Sequence, residues 1–177
     1  MKYKEEVIKA MEWLGKQKDT LFLGQTVLYP GSAIHATMCN TPADKKIEMP
    51  VTEEMQLGAS IGLSLGGLIP VSVYPRFDFF ISATNQLVNN LDKLSTISND
   101  IKTKVIIRVG IGSTSPLYPG PQHTQDHSEA FRKLLTTVEL VQLHNPEDIV
   151  PAYQKAYNRS DGISTILIEY MDFYNEK

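Results

Sequence analysis

Apolar and polar positions recur with several different patterns along the chain, and each pattern is typical of one kind of secondary structure. Over residues 3–17 the apolar side chains recur at helical spacing, which predicts an amphipathic helix that packs one face on a core. Residues 20–24 form a short apolar run that a glycine ends, which is typical of a buried strand. The chain is therefore expected to open with a helix followed by a strand.

Strand-like and helix-like stretches continue to alternate along the sequence. Further strands are predicted at 46–49, 70–74, 105–109, 138–142 and 163–169. Further helices are predicted at 53–66, 78–97, 128–135 and 146–158. This order predicts a three-layer α/β fold, in which helices cover both faces of a mainly parallel sheet. No linker-like stretch interrupts it, so residues 1–177 are expected to form a single domain.

The amino-acid composition argues against several classes of function. Among 177 residues, 17 Lys and Arg stand against 20 Asp and Glu without a basic cluster, so a nucleic-acid partner is not expected. No apolar stretch reaches the roughly 20 residues of a membrane span, and the charged N-terminus is unlike a signal peptide. Cys39 is the single cysteine, which excludes an internal disulfide and a cysteine-rich metal site. We expect a cytoplasmic protein without a membrane partner.

Ligands of parallel α/β folds bind beyond the carboxyl ends of the strands, so the loops after Leu23, Met49, Tyr74 and Val109 are the places to look. The loop after Met49 brings Glu53 to a helix start, where an acid also gains about 0.3–1 kcal/mol from the helix dipole. The loop after Tyr74 holds the aromatic segment 77–80, which could equally be core. The loop after Val109 holds His123 and His127. Glycine and proline disfavour the helix that a metal site with this histidine spacing needs, so no metal site is expected.

Two segments resemble a known family. They are PVTEEMQLGASIGLSLGG at 50–67 and FDFF with the following ATNQLVNNLDKL at 77–94, and the loop GPQHTQ at 120–125 follows in the expected order. From about Leu21 to Tyr170 the chain is similar to the pyrimidine-binding domain of transketolase-like thiamine diphosphate enzymes. The resemblance is closest to the β subunits of 2-oxo acid dehydrogenase E1 components.

This resemblance implies roles for individual residues. Glu53 matches the glutamate that hydrogen-bonds the N1′ nitrogen of the thiamine diphosphate ring, and is expected to be both catalytic and cofactor-binding. Phe79 and Phe80 match the aromatic side chains that pack against the aminopyrimidine. His123 and His127 lie in the loop that approaches the substrate in this family, where a neutral imidazole can relay protons.

The chain also departs from the family. The C-terminal domain of E1 β subunits has no counterpart here, and the Gly-Asp-Gly motif that binds Mg²⁺ and the diphosphate is absent. Gln25 stands where E1 β subunits usually have an acid. The Mg²⁺ and diphosphate ligands are therefore expected on a partner chain that resembles an E1 α subunit or the N-terminal half of a transketolase. A heterotetramer, or a homodimer of pyrimidine domains, is the expected assembly, with helix 53–66 as a candidate interface.

The function implied by the resemblance is that of a pyrimidine-binding subunit in a split enzyme. Such an enzyme depends on thiamine diphosphate and makes or breaks a carbon–carbon bond next to a carbonyl, in a 2-oxo acid or a ketose phosphate. One alternative is the small subunit of a two-chain 2-oxo acid decarboxylase, which the missing C-terminal domain favours. Another is a non-catalytic scaffold on the same fold, since fold alone does not determine function.

Overall fold

A sheet of six parallel strands forms the centre of the protein, whose computed structural model describes residues 1–175. The strands are β1 (Thr20–Gly24), β2 (Lys46–Glu48), β3 (Ile69–Tyr74), β4 (Ile106–Ile111), β5 (Glu139–Leu143) and β6 (Thr165–Tyr170). They lie in the order β2-β1-β3-β4-β6-β5, and every neighbouring pair is parallel. The parallel α/β fold expected from the sequence is confirmed.

Helices cover both faces of this sheet. They are α1 (Tyr3–Gly15), α2 (Ala33–Thr37), α3 (Glu53–Leu65), α4 (Phe77–Phe80), α5 (Leu94–Ile97), α6 (Ser128–Leu134) and α7 (Pro146–Asn158). The first two and α7 share one apolar core with the sheet, while α3, α4 and α6 build a second core on the opposite face. Within the described residues, no helix has both the length and the apolar character needed to cross a membrane.

A fully buried ion pair lies inside the core beneath α1 and α7. The Arg108 guanidinium on β4 donates two hydrogen bonds to the Glu169 carboxylate on β6, at 2.8 and 2.9 Å. The Tyr153 hydroxyl of α7 donates to the same carboxylate at 2.5 Å, and the Tyr174 hydroxyl also donates to it. The Thr37 hydroxyl of α2 accepts a further bond from the guanidinium at 2.7 Å. The pair thus connects two strands, two helices and the segment after β6.

The single regular helix predicted for residues 78–97 is wrong. The segment begins as α4, continues through a 3₁₀ turn at Ile81–Ala83 and a π-helical stretch at Gln86–Leu91, and ends with α5. In the π-helical stretch the Asp92 amide donates to the Leu87 carbonyl, five residues back, at 2.9 Å. The hydrophobic side chains of this segment recur every three or four residues, as they do in a regular α-helix. The sequence pattern therefore does not distinguish an α-helix from this mixture of helix types.

The short helix α2 lies in the stretch between β1 and β2 for which the sequence predicted no element. The Ser32 hydroxyl accepts a hydrogen bond from the His35 amide at 3.0 Å, which caps the helix N-terminus. Five residues are too few for a periodic pattern, and the serine cap is the signal that could have revealed it. The other predicted elements agree with the structure within two residues at each end.

Asp92 fastens the π-helical stretch to the residues that lead into β5. Its carboxylate is fully buried and accepts hydrogen bonds of 2.7–3.1 Å from the backbone amides of residues 136–138. Lys93 adds a charged donor at 2.6 Å. Burial acts to raise the pKa of Asp92, but these donors hold it well below its usual value. The ionised carboxylate therefore stabilises this face of the fold.

We expect Asp92→Asn to lower the free energy of unfolding by about 2–4 kcal/mol at pH 7, because three backbone amides lose a charged acceptor. A lowered folded-state pKa gives a stabilisation that is complete above the ordinary aspartate pKa of about 3.9 and is lost as the pH falls below it. The difference between wild type and variant in urea unfolding should therefore shrink at pH 3. Asp100→Asn, at an exposed aspartate, is the control, and equal losses in the two variants would contradict the assignment.

Candidate functional site

The carboxyl ends of the four strands β2, β1, β3 and β4 bring their following loops to one edge of the sheet. Gly24 pairs with Glu48 on one side and with Val73 on the other, and Tyr74 pairs with Val109. The helix that carries Glu53, the aromatic segment 77–80 and the histidine loop all begin at this edge. The fold therefore gathers the candidate residues on one side of the molecule.

Glu53 is the first residue of α3, and 8% of its surface is exposed. The Gln25 side-chain amide, just after β1, donates a hydrogen bond of 3.0 Å to its Oε1 atom. Beneath it, the Tyr74 hydroxyl donates to the Glu53 carbonyl at 3.4 Å, and burial raises the pKa of that phenol, which keeps it a donor. The carboxylate is thus nearly enclosed and has a neutral partner.

A groove of about 790 Å³ opens beside Glu53, between the first turns of α3 and the segment that follows α4. Its lining residues are Thr52, Glu53, Glu54, Met55, Gly58, Ala59, Ser82 and Gln86. Apart from the two acids, these side chains are small, apolar or neutral. The groove therefore offers a carboxylate in a weakly polar setting, which suits a flat heterocycle with one hydrogen-bonding nitrogen.

Aromatic and polar contacts join α4 to the histidine loop. The His123 ring meets the half-buried Phe79 ring edge-on, with centroids 5.4 Å apart, and the His127 ring meets Phe77 in the same way at 5.5 Å. Between them, the Gln125 side-chain amide donates a hydrogen bond of 2.8 Å to the Asp78 carboxylate. The 77–80 segment and the loop at 120–127 therefore form one unit.

Each of the two histidines has a buried ring nitrogen without a hydrogen-bond partner within residues 1–175, the Nδ1 atom of His123 and the Nε2 atom of His127. A ligand or a bound water could satisfy either atom. The Nε2 atom of His127 lies 3.9 Å from the nearer Asp78 oxygen, beyond hydrogen-bonding distance. The packing of the two rings differs, since His123 packs on Phe79 and His127 on Phe77.

The structure brings some of the predicted residues together and separates others. Phe79 and His123 contact each other, and Glu53 lines the groove, but neither Phe79 nor His123 is among the residues that border it. Phe80 has no exposed surface and packs against Tyr74 at 4.6 Å between ring centroids. The Phe80 ring is accordingly part of the core beneath the site, while Phe79 is the accessible aromatic.

Two carboxylates that the sequence did not indicate hold the loops of this edge. Glu48, at the end of β2, accepts hydrogen bonds from the Thr26 amide at 2.6 Å and the Leu28 amide at 2.9 Å. Asp172, just after β6, accepts one from the Thr114 amide at 2.6 Å. Each acts on the backbone of a loop distant in sequence, so no local pattern marks it. Their role is to fix the loops after β1 and β4.

Arg76 lies two residues after β3, at this edge of the sheet. It is half-buried, and burial lowers the pKa of its guanidinium while Asp78 and Asp172 act in the opposite sense. Its one polar contact within residues 1–175 is with the Met171 sulfur at 3.9 Å. The same part of the chain contains no group of three or more His, Cys, Asp or Glu that could bind a metal ion.

Comparison with known proteins finds weak but consistent similarity to one kind of protein. The β subunit of the pyruvate dehydrogenase E1 component from Cyanidium caldarium is 25% identical over 162 residues, covering 89% of this chain and 46% of the relative. The corresponding subunit of Chlorokybus atmophyticus is 23% identical over 170 residues, or 94% of this chain and 49% of the relative. The mitochondrial subunit of Caenorhabditis elegans is 27% identical over 133 residues, or 72% and 37%.

The fold comparison agrees. A solved structure described as a split gene transketolase, inactive β4 tetramer, superposes with a TM-score of 0.69 at 18% identity, covering 94% of this chain and 50% of that one. No protein-family model matches the chain. The resemblance to E1 β subunits and to the transketolase-like fold is confirmed. The chain spans about half the length, or less, of the curated relatives it matches.

We expect Asp78→Ala to loosen the histidine loop, because Gln125 then loses a charged acceptor worth about 1.5–3 kcal/mol. The amide of His123, which donates to the Gly120 carbonyl at 3.2 Å, should exchange with deuterium at least about 10-fold faster. Glu129→Gln, at an exposed acid on α6, is the control. An unchanged exchange rate in Asp78→Ala would show that the carboxylate does not hold the loop.

Proposed function

We propose that this chain is the pyrimidine-binding subunit of a split thiamine diphosphate-dependent enzyme that makes or breaks a carbon–carbon bond next to a carbonyl. A separate diphosphate-binding subunit completes the enzyme and supplies the Mg²⁺ ligands. The proposal extends the similarity to E1 β subunits and transketolase to the activity of the complete assembly. The substrate classes considered are 2-oxo acids and ketose phosphates.

The geometry of Glu53 is the observation that carries the proposal. An almost enclosed carboxylate borders a weakly polar groove, and its Oε1 atom is already held by Gln25. Within residues 1–175 no donor reaches its Oε2 atom, which leaves that oxygen for a ligand. A carboxylate held in this way accepts a short, charge-assisted hydrogen bond from a protonated ring nitrogen such as N1′ of the aminopyrimidine.

The neighbouring residues fit the same cofactor. Phe79 offers a half-exposed ring, and a flat heterocycle gains about 0.5–1.5 kcal/mol beyond burial by packing on an aromatic side chain. His123 carries an unpartnered ring nitrogen in the adjoining loop and is assigned to proton transfer at the substrate. Phe80 packs in the core against Tyr74 and Phe77, and His127 packs on Phe77 from the loop. Bound thiamine diphosphate would supply the electron sink for the carbon–carbon chemistry.

A partner surface surrounds the site. Most of the large exposed apolar side chains lie at the carboxyl edge of the sheet, namely Leu28, Tyr29, Val51, Met55, Ile81, Leu117 and Tyr118. Outside the neighbouring backbone of α3, no atom of residues 1–175 lies within 4 Å of the position that a side chain at Gly62 would occupy, so another chain can approach this helix closely. Apolar side chains concentrated around a ligand site are typical of a contact between subunits.

The assembly that fits this surface is a heterotetramer of two copies of this chain and two partner chains. The structural relative's description as a split gene transketolase supports the idea that a chain of this fold works with a separately encoded one. A homodimer of pyrimidine domains is the other assembly considered. The cytoplasmic location stays a prediction from the sequence.

Isothermal titration calorimetry tests the proposal most simply. Thiamine diphosphate with Mg²⁺ is titrated into this chain, into a candidate diphosphate-binding subunit from the same organism, and into the mixture. We expect strong, Mg²⁺-dependent binding in the mixture alone, because each chain carries half of the site. Absence of binding in all three samples would overturn the proposal and favour the non-catalytic scaffold.

We expect Glu53→Gln to reduce turnover by the mixed subunits at least about 100-fold, equivalent to about 2.7 kcal/mol of transition-state stabilisation. The amide keeps the shape of the side chain but cannot accept the charge-assisted bond. Glu54→Gln is the matched control, since Glu54 is the exposed neighbour that bonds only to Asn85 within the described part of the chain, at 3.2 Å. Equal activity of Glu53→Gln and wild type would remove the assigned role.

A further inference from the structure

The side chain that touches Glu53 in this protein is an amide. Gln25 donates from Nε2 to the Oε1 atom of Glu53 at 3.0 Å. An amide nitrogen donates a hydrogen bond without giving up its proton, so Oε1 remains an acceptor at every pH at which Glu53 is ionised. The remaining oxygen of the carboxylate, Oε2, is the one left for a ligand in the groove.

The backbone directly after Gln25 is held in place by the neighbouring strand. Thr26 has a φ angle of 60°, in the left-handed region that residues with a Cβ rarely adopt. The Glu48 carboxylate compensates by accepting hydrogen bonds from the amides of Thr26 and Leu28, at 2.6 and 2.9 Å. A turn held by a carboxylate on the neighbouring strand aims the Gln25 side chain at Glu53. The contact is thus built into the loop.

We propose that Gln25 is a positioning residue for Glu53: its amide orients the carboxylate and occupies a place where an acid would contact it. A second carboxyl at position 25 would share a proton with Glu53, because two acids in contact do not both ionise readily. The amide prevents this sharing and directs Oε2 toward the ligand. The ligand's identity rests on the proposed function, whereas the contact between Gln25 and Glu53 does not.

The contact is tested on the chain alone by NMR. The side-chain NH₂ resonances of Gln25 are followed from pH 3 to pH 8 in the wild type, in Glu53→Gln and in Glu54→Gln. We expect one Gln25 amide proton to move with the ionisation of a carboxyl, and this titration to vanish in Glu53→Gln while persisting in Glu54→Gln. Gln25 resonances that do not respond to Glu53 would overturn the inference and leave the proposed function untouched.

The effect of Gln25 on activity and on cofactor binding is tested in the mixture of this chain with the diphosphate-binding subunit. We expect Gln25→Glu to move the acidic limb of the activity profile to higher pH by about one unit, since the second carboxyl favours protonation of the pair. Gln25→Leu, which removes the donor without adding an acid, should weaken thiamine diphosphate binding several-fold and move the limb less than Gln25→Glu does. Thermal unfolding of each variant establishes that it is folded. A Gln25→Glu profile that coincides with wild type would contradict the inference.

Discussion

The fold depends on one buried interaction, the ion pair between Arg108 and Glu169. Neither side chain has any exposed surface, and removing a charge from water costs several kcal/mol unless a partner compensates for it. Burial lowers the pKa of Arg108, but the Glu169 carboxylate and the neighbouring phenols of Tyr174 and Tyr153 together offset this and raise the pKa well above its ordinary value. The hydroxyls of Tyr153 and Tyr174 occupy the remaining lone pairs of the carboxylate, and burial first, then the nearby charge, raises the pKa of both phenols. An arrangement of this kind tolerates only one alignment of β4, β6 and α7.

The alignment of these strands also positions the candidate site, because the loops at their carboxyl ends carry its residues. Asp172 follows β6 directly and holds the start of the loop after β4 through the Thr114 amide. Farther along this loop, Gln125 is fastened to Asp78 beside α4, and His123 lies against Phe79. Each contact is short and polar or aromatic, and each joins residues far apart in sequence. The rigidity of the core is thereby transmitted to side chains that would otherwise stand on a mobile loop.

The hydrophobic pattern was sufficient to predict the strands and most of the helices, because a parallel sheet that is buried on both faces leaves continuous apolar runs such as 105–109. The same pattern missed the change of helix type between residues 77 and 97, since a π-helical turn stabilised by Asp92 produces ordinary hydrophobic spacing. Around the site, Glu53 was recognisable from its motif and its place at a helix start. Glu48, Asp78 and Asp172 were not, because their partners are backbone amides or side chains of distant loops. The burial of Phe80 against Tyr74, Phe77 and Phe131 likewise depends on packing that two consecutive phenylalanines do not reveal.

The central claim is that one oxygen of the Glu53 carboxylate binds the ring of a thiamine cofactor whose diphosphate is held by another polypeptide. The most direct measurement is a crystal structure of the two subunits together with thiamine diphosphate and Mg²⁺. We expect a ring nitrogen about 2.6–3.2 Å from Oε2 of Glu53, with Gln25 still on Oε1, at a contact between chains. A cofactor seated elsewhere, with Glu53 facing solvent, would contradict it.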